Sequence, residues 1–185
     1  MAKESTQVEI LDAAAALIAE RGYTATSVDD IALRAGVAKG SVYYNFGSKA
    51  DILEAILQRG VGRLSELMSS AREGREGLDA LEHMAAAAIE VIRDRTDFAK
   101  ILAAEVFRVG RQWEESIGAV REAAISQFAE VIAPMRPDLD AHLAGGAVFG
   151  SVLVAGLEWM VFESDRPFED VLAVVKALLG GLVKA

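Results

Sequence analysis

Within seven positions the chain sets out Lys39, Gly40, Ser41, Tyr43, Tyr44 and Asn45, and Ser48 and Lys49 follow directly. An ammonium neutralises phosphate, hydroxyls and a carboxamide hydrogen-bond phosphate oxygens and base edges, and a glycine lets another molecule approach the backbone. Such a set binds a polyanion; it does not turn over a substrate. No rival chemistry is spelled elsewhere. His83 and His142 stand 59 positions apart, cysteine is absent, and the serines and acids form no nucleophile or carboxylate-dyad motif. The residues describe a binding protein and not an enzyme, with no metal and no cofactor.

Two short helices must hold this set. Ser27 with Asp30 three positions on fits a capping box, and Asp29 and Asp30 lie in a first turn, where the helix dipole favours acids. Val28, Ile31, Ala32 and Ala35 form one apolar stripe at helical spacing. Gly36 ends the helix and Val37 plugs the turn. A second helix starts near Ala38, burying Val42 and Phe46 and leaving Lys39, Ser41, Tyr43, Tyr44 and Asn45 on or beside its other face. Gly40 costs such a helix about 1 kcal/mol relative to alanine, which points to a close approach of another molecule there. A helix, a short turn and a second helix with a polar N-terminal end form the arrangement that puts side chains into a major groove. Ser48 caps a further helix beginning at Lys49, so free backbone N–H groups and the lysine ammonium are both offered to a phosphate.

The run from Gly22 to Leu53 carries G-Y-x-x-T-S-V-x-x-I-A-x-x-A-G-V-x-K-G-S-V-Y-Y-x-F-x-S-K. It resembles the DNA-binding domain of the tetracycline-repressor-like (TetR) family. The resemblance implies an all-α protein: a three-helix helix-turn-helix head over residues 1–48, and a helical bundle over 49–185 for effector binding and dimerisation. It implies that Lys39, Ser41, Tyr43, Tyr44 and Asn45 contact bases or phosphates, with Gly40 beneath the close approach, while Ser27 and Lys49 hold the DNA backbone. Asn45 stands where many members have histidine, and Asp29 where a basic or neutral residue often meets phosphate. By order along the chain, the last two helices are expected to pair with their mates in a homodimer. The function implied is a ligand-responsive regulator, most simply a repressor released from a near-palindromic operator by a small apolar or amphipathic effector.

Charge is distributed to match. The 185 residues carry a net charge of −9, and residues 1–50 hold five Lys or Arg against six Asp or Glu. Yet Arg34, Lys39 and Lys49 are unaccompanied by any acid between positions 34 and 50. The positive charge is confined to the docking edge, and the acidic body behind it orients an encounter with DNA. Absence of cysteine and of a signal-peptide pattern near the first residue leads to the expectation of a cytoplasmic protein.

The rest reads as helices. The first should span Thr6–Arg21, with Val8, Leu11, Ala15 and Ile18 inward, and a long connector should run from Lys49 to about Ser70, before a loop at 71–77. Helices at 78–93, 97–109, 112–133, 141–162 and from Pro167 follow. Met84, Phe98, Phe107, Trp113, Phe149 and Trp159 are candidates to line an effector cavity, with Glu105 and Glu158 as acids in apolar surroundings. The 22 residues from Ala141 to Phe162 are long and apolar enough to span a bilayer. Glu158 inside the run and the absence of flanking basic clusters argue instead for packing, through Ala147, Ser151 and Ala155, against a second helix or a second copy. An alternative is a helical small-molecule-binding or interaction module without DNA recognition. The intact surface from Lys39 to Lys49 tells against it.

Overall fold

The computed structural model describes residues 2–105 and 114–182, so Phe107 and Trp113 lie outside the described residues. Nine helices and no strand occur among the described residues: α1 (Ala2–Arg21), α2 (Val28–Ala35), α3 (Lys39–Asn45), α4 (Lys49–Arg72), α5 (Gly77–Asp94), α6 (Thr96–Glu105), α7 (Glu114–Met135), α8 (Ala141–Phe162) and α9 (Phe168–Gly180).

In α1 the buried stripe is Ile10, Ala13, Ala14, Leu17 and Ile18, whereas Val8 is 40% exposed. The stripe expected from the sequence is therefore rotated by about one residue. Alanine fills four consecutive positions, 13–16, so spacing alone gives this helix no sharp apolar face. Leu11 and Ala15, freed from the deepest positions, turn toward α4 and the α5–α6 junction.

Connector α4 is 24 residues long and packs against α1, α5, α6 and α7. At 1.5 Å per residue it reaches about 36 Å. Ile52, Leu53, Leu57 and Met68 on it are fully buried, each contributing about 1.5–3 kcal/mol of transfer free energy. The helix continues through Ala71 and Arg72, so the expected loop shrinks to residues 73–76. Buried residues from α1–α3 and from the later helices form one continuous apolar core.

Among the body helices, α8 lies closest on α7. A side-chain carbon at Gly145 would stand 2.7 Å from the Ile125 carbonyl oxygen and 3.0 Å from the Ala129 nitrogen, so only glycine permits this approach. Of the small residues expected at a packing face, Ala147 is exposed, Ser151 is half-buried, and Ala155 is half-buried against the apolar core. Although α8 has the length and composition of a membrane span, it packs on α5, α6, α7 and α9 while leaving Leu143, Val154 and Phe162 exposed. Asp140 caps its start, its carboxylate accepting the Leu143 amide at 3.0 Å.

Candidate nucleic-acid interface

The head is built as its local sequence dictates. Ser27 Oγ accepts the Asp30 amide at 3.1 Å and donates to Asp30 Oδ2 at 2.6 Å, while that carboxylate accepts the Ser27 amide at 3.2 Å. These bonds hold the Asp30 carboxyl below its ordinary pKa. Gly36 takes a left-handed φ of 68°, and the Val37 amide reaches back to the Ala32 carbonyl at 3.0 Å. The turn so formed delivers α3 with Val42 buried and its opposite face outward.

On that face Tyr43 is 49% and Tyr44 77% exposed. Gly40 has no atom within 4 Å of the place a side-chain carbon would take, so its backbone is open to close approach. Lys39 is exposed and its Nζ lies 2.8 Å from Asp29 Oδ1, a pairing that raises the lysine's pKa. Ser41 is half-buried.

Besides Lys39, three expected contact residues are already engaged within the head. Asn45 Nδ2 donates to the Ser41 carbonyl at 2.8 Å, one turn back on its own helix, which leaves Oδ1 buried without a partner. The hydroxyl proton of Ser27 is committed to Asp30. Lys49 departs furthest from expectation: its Nζ donates to the carbonyls of Tyr23 and Thr26, each at 2.7 Å, and sits 4.2 Å from the Tyr23 ring centroid. Burial lowers its pKa, while two carbonyl acceptors and a ring face favour the charged form. Its ammonium is a strut between the α1–α2 turn and the start of α4.

Sequence reasoning missed that strut, although a signal for it exists. A cation at the first position of a helix opposes the helix dipole and needs compensation from elsewhere. Thr26 was also overlooked; it is 1% exposed, its Oγ1 donates to the Gly22 carbonyl at 3.0 Å, and so it shapes the turn that receives the lysine.

Within the body, Phe98 and Phe149 do line an interior cavity of about 20 Å³, together with Leu64, Met68, Phe128 and Leu153. Its walls are apolar and it has room for little more than one water molecule. Met84 and Glu105 are buried, outside that lining. Glu158 is exposed: nine residues on from Phe149, it projects half a turn around α8 on the outer side. Trp159 instead closes the α8–α9 turn, its Nε1 donating to the Arg166 carbonyl at 2.8 Å and its ring 5.7 Å from that of Phe168. Among the described residues no group of His, Asp or Glu is arranged to hold a metal.

A capped helix, a glycine turn and a second helix presenting lysine, glycine and two tyrosines to solvent form a helix-turn-helix head, here with a helical body behind it. Residues 10–56 match the family model for bacterial regulatory proteins of the tetR family. The head is thus similar to the DNA-binding domain of tetR-family regulators. It is 41% identical over 83 residues to the HTH-type transcriptional repressor KstR2 of Rhodococcus jostii, a match covering 43% of this chain and 41% of that one. Its whole fold is similar to that of the fatty acid degradation regulator FadR from Bacillus halodurans, with a TM-score of 0.82, 24% identity and coverage of 97% and 95%. It is also similar to FadR from Bacillus subtilis in complex with stearoyl-CoA, with a TM-score of 0.80, 23% identity and coverage of 96% and 97%.

Proposed function

We propose that the protein is a homodimeric repressor whose two α3 helices enter successive major grooves of a near-palindromic operator, with half-site centres about 34–36 Å apart. The observation that carries this reading is the division of α3, with Val42 1% exposed on one side and Tyr43 and Tyr44 open on the other. Lys39, Ser41, Tyr43 and Tyr44 supply the contacts to bases and phosphates, Gly40 allows the DNA to come near, and Ser27 meets the DNA backbone at the start of α2. Lys49 holds the head together behind them. The N-terminal head ends at residue 48, and residues 49–185 form the effector and dimerisation unit.

Dimerisation proceeds through α8 and α9. Val154, Phe162, Val174 and Leu178 are 59–74% exposed there, an apolar face that water does not favour. The effector is apolar over most of its length and acts in the cytoplasm, entering the body beside Phe98 and Phe149. The stearoyl-CoA bound by FadR of Bacillus subtilis supports that class. Because the cavity of about 20 Å³ is too small for an alkyl chain, the effector binds a more open conformation and draws the population toward it.

Selection of bound duplexes from a random pool tests the reading, followed by fluorescence anisotropy on the enriched sequence. Enrichment of an inverted repeat, with binding lost in Tyr43→Ala, supports it. Binding without sequence preference, or a preference untouched by Tyr43→Ala, overturns it.

A further inference from the structure

An open groove of about 660 Å³ lies where α1, α4 and the α5–α6 junction meet. In it one carboxylate oxygen serves two guanidinium groups. Asp12 Oδ1, on α1 of the head, is 3.2 Å from Arg59 Nη1 on α4 and 3.4 Å from Arg95 Nη1 at the end of α5. Arg63, one turn beyond Arg59 and also lining the groove, makes no ion pair among the described residues. Four arginines and four acids line the groove in all, so it has no positive excess while Asp12 occupies it. Withdrawal of Asp12 removes the ion-pair partner of Arg59 and Arg95 and leaves the groove with an excess of one positive charge.

The groove also adjoins the apolar interior. Phe98 lines both the groove and the inner cavity, and its ring lies where a side chain at Gly60 would otherwise be. A molecule with a polar end in the groove would meet the body's apolar centre on passing this one ring.

We propose that the groove is the polar half of the effector site and that the anionic head group of an amphipathic effector displaces Asp12 from Arg59 and Arg95. The inference rests on the effector-responsive reading above and adds to it the charge of the ligand and the route of the signal. Asp12 and the ligand anion compete for the same two guanidiniums, so only one is held at a time. Asp12 belongs to α1, hence its release frees the head from one tie to the body. Arg59 and Arg95 are ligand-binding residues in this scheme, and Asp12 is the resident anion they give up.

Isothermal titration with stearate, stearyl phosphate, stearoyl-CoA and uncharged stearyl alcohol tests this on the full chain, with folding of each variant checked by circular dichroism. At least one of the three anions binds wild type about tenfold or more tighter than the alcohol. Asp12→Asn, nearly isosteric, tightens that anion by about three- to tenfold, the scale of an exposed ion pair removed from competition. It also weakens operator binding before any ligand is added. Arg59→Gln with Arg95→Gln brings the anion's affinity down toward that of the alcohol, while Arg59→Lys retains part of it.

Preference for the phosphate-bearing probes over stearate identifies the head group as phosphate, and the reverse identifies it as carboxylate. Equal binding of alcohol and anions, an anion affinity unmoved by these substitutions, or no binding of any anion overturns the inference. If the alcohol alone binds and releases operator DNA, the effector-responsive reading survives without this site. If no probe releases the operator, the apolar-effector class falls with it.

Discussion

Lys39 Nζ lies 2.8 Å from Asp29 Oδ1, so the first lysine of α3 is neutralised by the preceding helix before it meets DNA. The two side chains are 53% and 67% exposed, a setting in which the pair adds little stability and is easily exchanged for a phosphate. Asp29 is thereby expected to restrain non-specific affinity. Asp29→Asn is expected to strengthen binding to random duplexes and to steepen the salt dependence by about 0.9 in log K against log salt, the value of one added phosphate contact. Anisotropy titrations across a salt series measure this; a slope equal to wild type removes the restraining role.

Lys49→Ala acts differently. Loss of a charged donor to the Tyr23 and Thr26 carbonyls is expected to destabilise the chain by about 1–3 kcal/mol and to leave the salt slope at its wild-type value. Urea denaturation reads the first quantity and the same salt series the second. A slope lowered by one unit with unchanged stability would return Lys49 to the phosphate-binding set.

Acid should loosen the head through Asp30. Its folded-state pKa is depressed by the Ser27 bonds, so its contribution is present above the unfolded value of about 3.9 and disappears as pH falls through the lower folded value. Melting temperatures from pH 6 to pH 2.5 should therefore fall less steeply in Asp30→Asn than in wild type. Parallel curves for the two proteins dismiss this linkage.

Gly60→Ala places a methyl group in the space of the Phe98 ring. Overpacking of this kind costs about 1–3 kcal/mol. In combination with Phe98→Ala the new methyl fills part of the vacated volume, so the double variant is less destabilised than the sum of the singles. Additive values in a double-mutant cycle show that the ring moves aside freely.

Val154→Glu on α8 or Leu178→Glu on α9 puts a carboxylate on an exposed apolar face, at 65% and 59% exposed positions. The folded monomer should lose less than about 0.5 kcal/mol, whereas the dimer should dissociate, because a buried unpaired charge is costly. Light scattering coupled to gel filtration reports the mass of each variant, and a dimer retained in both moves the interface elsewhere.

What was legible in the sequence lay within a few positions along it. The Ser27–Asp30 box, the Gly36 turn, the cap at Ser48 and the exposed tyrosines of α3 follow from contacts between near neighbours, which the order of residues specifies directly. The DNA-binding head was therefore readable before any coordinates. The phase of α1 was not, because a helix rich in alanine offers several stripes of similar apolarity, and only α2, α4 and α6 select among them. In the same way spacing alone did not say that Phe149 faces the interior and Glu158 the outside of α8, since the helices around α8 determine which sides are inside.

The sequence by itself determined that this is an all-helical protein with a capped helix pair built for DNA, since those signals are local hydrogen bonds and helical periodicity. Only the tertiary structure decided which charges meet. Lys49 finds its acceptors 26 and 23 positions away, and Asp12 finds Arg95 at a separation of 83. Contacts that distant depend on how whole helices pack, and helices with several plausible apolar faces leave that choice to their neighbours.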